Sequence, residues 1–125
     1  MFEITIFDTV YPFKFGIGFV RDINKRVQKT VEDTNKKQDM GLQYAIAGLM
    51  DEDPLELVDI LLTANKTESP RITYAKLEAY LEDASTDMSA LCVEVLDFLR
   101  QNNATKKMAN AVVEMVEAQR AKQEQ

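Results

Sequence analysis

The stretch Asp83-Ala-Ser85-Thr-Asp87-Met88-Ser-Ala-Leu-Cys-Val-Glu94 has the residue types and spacing that come nearest to a chemical site. Oxygen-bearing side chains stand at the first, third and fifth positions and a glutamate at the twelfth, which is the skeleton of a calcium-binding loop. The sixth position, where such a loop needs glycine for its turn, is Met88, and Met88 also opens the apolar stripe of a helix. A capped helix accounts for all of these residues without calcium. Gly16-Ile-Gly18 has the look of a phosphate-cradling turn, but the third glycine of a dinucleotide fingerprint is replaced by Arg21 and no parallel βαβ pattern follows. Glycine there relieves backbone crowding at a sharp strand-to-helix corner. With no histidine and Cys92 as the single cysteine, the usual transition-metal ligands, an internal disulfide and a nucleophile–base pair are all missing. Cys92 reads as a small core residue. Carboxylates are numerous, yet none sits in an apolar stretch that would raise its pKa into catalytic range. Neither catalytic residues nor a metal nor a cofactor is expected.

The chemistry that remains is that of adaptable apolar contact. Six methionines occur, and Met108 and Met115 lie seven apart on the final helix, in one stripe with Val112 and Val116. Flexible thioethers at that spacing suit a partner-docking face, and Met108, Val112, Met115 and Val116 are the candidate partner-binding residues. The competing reading is that the same side chains fill gaps in the core.

The elements that must carry these residues begin with a hairpin. Phe2, Ile4 and Ile6 alternate with Glu3 and Thr5, and Tyr11, Phe13 and Phe15 alternate with Pro12 and Lys14, the period-2 pattern of two half-buried strands around an Asp8-Thr9 turn. Phe2, Ile4, Tyr11 and Phe13 should be buried, because an isolated hairpin is marginal in water. Everything after residue 19 reads as helix. Phe15, Phe19, Ile23, Val27 and Val31 recur every four residues, residues 34–39 form a polar loop, and Asp39 is the expected N-cap of the next helix. That helix carries Leu42, Ala45, Ile46, Leu49 and Met50. Pro54 opens a third with Leu55, Val58, Leu61 and Leu62 inward. Thr73 caps a short helix with Tyr74, Leu77 and Leu81 inward, and residues 85–87 cap another bearing Met88, Leu91, Cys92, Val95, Phe98 and Leu99. The last helix starts near Ala104 with a stripe of Met108, Ala111, Val112, Met115 and Val116.

The predicted fold class is α+β and mostly α, with an N-terminal two-stranded antiparallel hairpin packed on five to six helices. At 125 residues one domain is expected, residues 1–116, followed by a polar tail at 117–125 that should fray. Net charge is −6, unevenly spread: residues 21–37 carry Arg21, Lys25, Arg26, Lys29, Lys36 and Lys37, whereas residues 77–99 hold six acids and no base. Overall acidity argues against a nucleic-acid partner, whose affinity rests on phosphate neutralisation. No run of about 18 apolar residues spans a membrane and no leader pattern opens the chain, so a cytosolic protein is expected.

Several segments in order along the chain resemble the tail assembly chaperones of long-tailed bacteriophages, in the group from phages and prophages of Gram-positive bacteria. They are Met1-Phe-Glu-Ile-Thr-Ile, Phe13 to Asn24, Gly41-Leu-Gln-Tyr-Ala-Ile-Ala-Gly-Leu49, Leu57 to Leu61 with Ala64-Asn65, Val95 to Leu99, and Asn103 to Lys107. The resemblance implies a non-enzymatic factor, absent from the finished virion, acting in the host bacterial cytoplasm. Its partners would be the tape measure protein, which it keeps soluble, and the major tail (tube) protein, with self-association through the C-terminal stripe as a further possibility. Members are often made in two lengths by frameshifting, and this chain resembles the shorter product. A generic adaptor that grips one partner helix would share the same physical traits, and a carboxylate enzyme would need a deep polar pocket.

Overall fold

A computed structural model describes residues 1–124 and shows the expected α+β, mostly helical architecture. Strands β1 (Phe2–Ile6) and β2 (Thr9–Phe13) pair antiparallel with Phe2 opposite Phe13 and Ile6 opposite Thr9. The turn lies one residue earlier than the Asp8-Thr9 expectation. Phe7 and Asp8 form it, both at positive φ (48° and 71°), the twist that a two-residue hairpin loop requires. Ile4, Ile6, Tyr11 and Phe13 are buried, while Phe2 is partly covered and meets Phe13, Phe15 and Phe98 edge-on at 5.4–6.2 Å between ring centres.

Helix α1 (Ile17–Asn24) is shorter than the sequence pattern suggests. Val27 and Val31 leave it, and residues 28–39 form a second antiparallel hairpin, β3 (Gln28–Thr30) with β4 (Lys37–Asp39). This corrects both the long first helix and the polar loop. A spacing of four residues satisfies a strand's period of two as well as a helix turn, and the β-branched Val27, Thr30 and Val31 favour the strand. Asp39 is consequently no N-cap: its Oδ1 accepts from Gln28 Nε2 across the hairpin at 2.9 Å. The first turn of α2 (Gly41–Met50) is satisfied from elsewhere, by Asn24 Oδ1 accepting from the Leu42 N–H at 2.9 Å. Gly41 sits where the end of α1 crosses, and a Cβ there would collide with the Ile23 carbonyl. No side chain fits at that joint.

Helices α3 (Pro54–Asn65), α4 (Tyr74–Glu82), α5 (Met88–Gln101) and α6 (Lys106–Gln123) complete the fold. Asp53, Thr73 and Asp87 cap α3, α4 and α5 by accepting from Leu55, Lys76 and Ala90 N–H groups. α2 is the central element, packed against α1, α3, α5 and α6. In α3 and α4 one expected inward residue each points out instead: Leu55 is 70% and Tyr74 50% exposed, each at the first turn of its helix before the core-facing stripe begins. Residues 117–123 of the expected polar tail are wound into the last turns of α6, and Gln125 lies outside the described residues. Among the described residues no helix is long and apolar enough to cross a membrane.

Candidate functional site

The turn between α5 and α6 is fixed by buried and part-buried hydrogen bonds. Thr105 Oγ1 donates to the Leu99 carbonyl at 2.7 Å and accepts from Asn102 Nδ2, which also reaches the Phe15 carbonyl. From that anchor α6 lays Ala109, Val112 and Val113 into the core against α2 and α5. Its far end is tied by Arg120, whose Nη2 donates to the Met50 carbonyl at 3.2 Å and to Asp51 Oδ1 at 3.1 Å, at the C-terminus of α2. A cation at a helix C-terminus also meets the favourable end of its dipole.

Between these ties α2 and α6 leave a shallow groove of about 210 Å³, lined by Met40, Gln43, Tyr44, Ala47, Val112 and Met115, with Lys29 of β3 at its rim. The four candidate residues divide here. Val112 forms part of the floor and is buried, whereas Met115 stands at the edge, 55% exposed. Met108 and Val116 are partly covered and pack on the core outside the groove. Ala111, expected in the same stripe, is exposed, since the buried face is centred on Ala109, Val112 and Val113.

Lys29, Met40, Gln43, Tyr44 and Ala47 escaped the sequence reading. The available signal was that α2 carries no charge at all, so that Met40, Tyr44 and Ala47 make a second apolar face beside the core stripe. Tyr44 is 40% exposed, and Lys29 Nζ lies 5.4 Å from its ring centre, a cation–π distance. Gln43 Oε1 is shielded from solvent and has no hydrogen-bond partner among the described residues. The groove thus offers apolar walls, the two thioethers of Met40 and Met115, and one unmet acceptor.

Burial, followed by the carboxylates of Glu52 and Asp53, pushes the Cys92 thiol above its ordinary pKa, which disfavours the thiolate. Tyr74 is raised by the neighbouring Glu78 carboxylate. In the calcium-loop lookalike, Asp83 Oδ1 accepts from the Ser85 hydroxyl at 2.6 Å and the Ser85 N–H at 2.8 Å, which lowers the Asp83 pKa, while Asp87 Oδ1 caps α5. Among the described residues no three His, Cys, Asp or Glu side chains are grouped to hold a metal. Millimolar calcium is therefore expected to leave the melting temperature unchanged. A native-state site at a hundredfold excess of ion would add about 2.7 kcal/mol, and a rise of several degrees in a thermal melt would show it.

The family model described as "Phage tail assembly chaperone protein, TAC" matches residues 3–114, from the first strand to the groove-lining part of α6. The chain belongs to the phage tail assembly chaperone family. That membership agrees with the resemblance seen in the sequence and points to phage tail proteins as partners and to a non-enzymatic role. Searches of curated proteins and of solved structures each returned no match. The matched span covers both hairpins but for Phe2 and all of α1 to α5, so the groove between α2 and α6 is built almost wholly from residues of the family unit.

Proposed function

We propose that this tail assembly chaperone binds the tape measure protein through the groove between α2 and α6, keeps it soluble and helps recruit tube subunits around it. It acts in the host bacterial cytoplasm and leaves before the virion is complete. The observation that supports this reading is the groove itself: an apolar cleft in an acidic family member, with Met115 and Tyr44 exposed on opposite walls. A tape measure is a long helical chain that shows apolar stripes until the tube encloses it. Its chaperone needs contacts of low specificity, which a methionine-edged groove provides, while net negative charge keeps the coated complex dispersed. Covering a Met side chain fully contributes about 1.5–3 kcal/mol, enough for roughly tenfold or more in affinity.

Co-expression with a tape measure fragment tests the proposal. Wild type is expected to hold the fragment in the soluble fraction, and the Tyr44→Asp, Met115→Asp double variant to release it into the pellet. Both side chains are substantially exposed, so circular dichroism should show the variant folded. A folded variant that keeps the fragment soluble would place the binding surface elsewhere.

A further inference from the structure

The N-terminal hairpin has two outer edges, and among the described residues only one is occupied. Its two-residue loop makes Ile6–Thr9 the closing hydrogen-bonded pair, so Ile4–Tyr11 and Phe2–Phe13 are bonded too, and the N–H and C=O groups of Glu3 and Thr5 point away from β2. Pro12, which has no N–H to give, stands opposite Glu3 in a non-bonded pair and agrees with that phase. The β2 edge is covered by the end of α3: the Pro12 carbonyl accepts from Asn65 Nδ2 and the Lys14 N–H donates to the Ala64 carbonyl, both at 2.9 Å. Among the described residues, the outward backbone groups of Glu3 and Thr5 have no such partner.

This open edge forms one wall of a groove of about 350 Å³. The other wall is a stripe of α5, Asp87, Ala90, Leu91 and Glu94, at the spacing that places four side chains on one helix face. Glu3, Asp87 and Glu94 line it, and among the described residues no lysine or arginine does. We propose that the groove takes an extended, basic segment of a partner protein, which adds to β1 as a third strand. Its backbone pairs with Glu3 and Thr5, its Lys or Arg side chains meet the carboxylates, and a small apolar residue rests on Ala90 and Leu91. An unpaired strand edge specifies an extended backbone as occupant, and three acids with no opposing base specify its charge. This groove shares no lining residue with the one between α2 and α6.

The probe is a fluorescent peptide, Lys-Val-Thr-Val-Lys-Val, compared with Glu-Val-Thr-Val-Glu-Val by anisotropy, with amide exchange read by NMR. Wild type is expected to bind the basic peptide about tenfold or more tightly than the acidic one, and binding is expected to slow exchange at Glu3 and Thr5. Thr5→Pro removes an N–H that the hairpin does not use, so it should leave the melting temperature near wild type while weakening binding about tenfold. Glu3→Lys with Glu94→Lys should weaken it at least as much. Absence of binding at millimolar peptide would overturn the proposal, as would binding that Thr5→Pro leaves intact with no new protection at β1, which is attraction by charge alone. Concentration-dependent dimerisation of the free protein that Thr5→Pro abolishes would make a second copy the occupant, and would overturn it too.

Discussion

Replacing Asn65 by leucine is expected to destabilise the protein by on the order of 3–5 kcal/mol, about a fifth or more of the total for a typical domain. Asn65 is fully buried at the end of α3 and serves three backbone groups. Its Nδ2 donates to the Pro12 carbonyl at 2.9 Å and to the Pro70 carbonyl at 3.1 Å, and its Oδ1 accepts from the Ile72 N–H at 2.7 Å. One amide thereby fastens the hairpin, the end of α3 and the loop that leads to α4. Leucine fills a similar volume but leaves all three groups without partners, and each buried orphan costs about 1–3 kcal/mol. Urea unfolding should show a lower midpoint with an unchanged slope, the signature of lost stability with the same surface exposed. A variant within about 1 kcal/mol of wild type would mean that water or a backbone shift replaces the amide.

Phe13→Ala is expected to cost about 3–5 kcal/mol as well, by a different route. Phe13 has no solvent exposure, closes the hairpin opposite Phe2, and is surrounded by the core that Phe15 and Phe19 extend toward α1. Its ring cannot be replaced by relaxation of neighbours on one side, because β2 is held to α3 through Pro12 and Lys14. A large cavity and a detached Phe2 should follow, with loss of near-ultraviolet dichroism and poor recovery in the soluble fraction. Unfolding measured alongside Asn65→Leu should show a double variant whose loss is smaller than the sum, since both changes loosen the same contact between β2 and α3.

Those two residues also show what a single sequence makes legible. Phe13 announced itself, because alternation over Tyr11, Pro12 and Phe13 leaves little choice of face. Asn65 stands at the head of a polar run and looks like the start of a loop; its role depends on groups 53 residues before it and five and seven residues after it, which no local pattern reports. The same limit explains the second hairpin. Val27 and Val31 fit helix and strand alike, and α2 receives its cap from Asn24, 18 residues away from Leu42 in sequence, rather than from the adjacent Asp39. Of the groove, the α6 side was visible through Val112 and Met115. The α2 side was hidden because a search for one apolar stripe stops once Leu42, Ala45, Ile46 and Leu49 are found, and a helix with two apolar faces needs both to be counted. Arg120 carried no signal, since a single exposed arginine in a polar tail is indistinguishable from a solvated one until its partner carbonyl is placed.

Methionine methyl NMR of the ¹³C-labelled protein, titrated with a tape measure fragment, resolves its six methionines as separate probes. Met40 and Met115 line the groove between α2 and α6, while Met1 and Met88 lie away from it. At saturation the methyl signals of Met40 and Met115 are expected to shift or broaden, with Met1 and Met88 unmoved and the Lys29–Tyr44 contact altered. A saturated complex in which Met40 and Met115 keep their free positions would contradict the assignment of that groove to the tape measure.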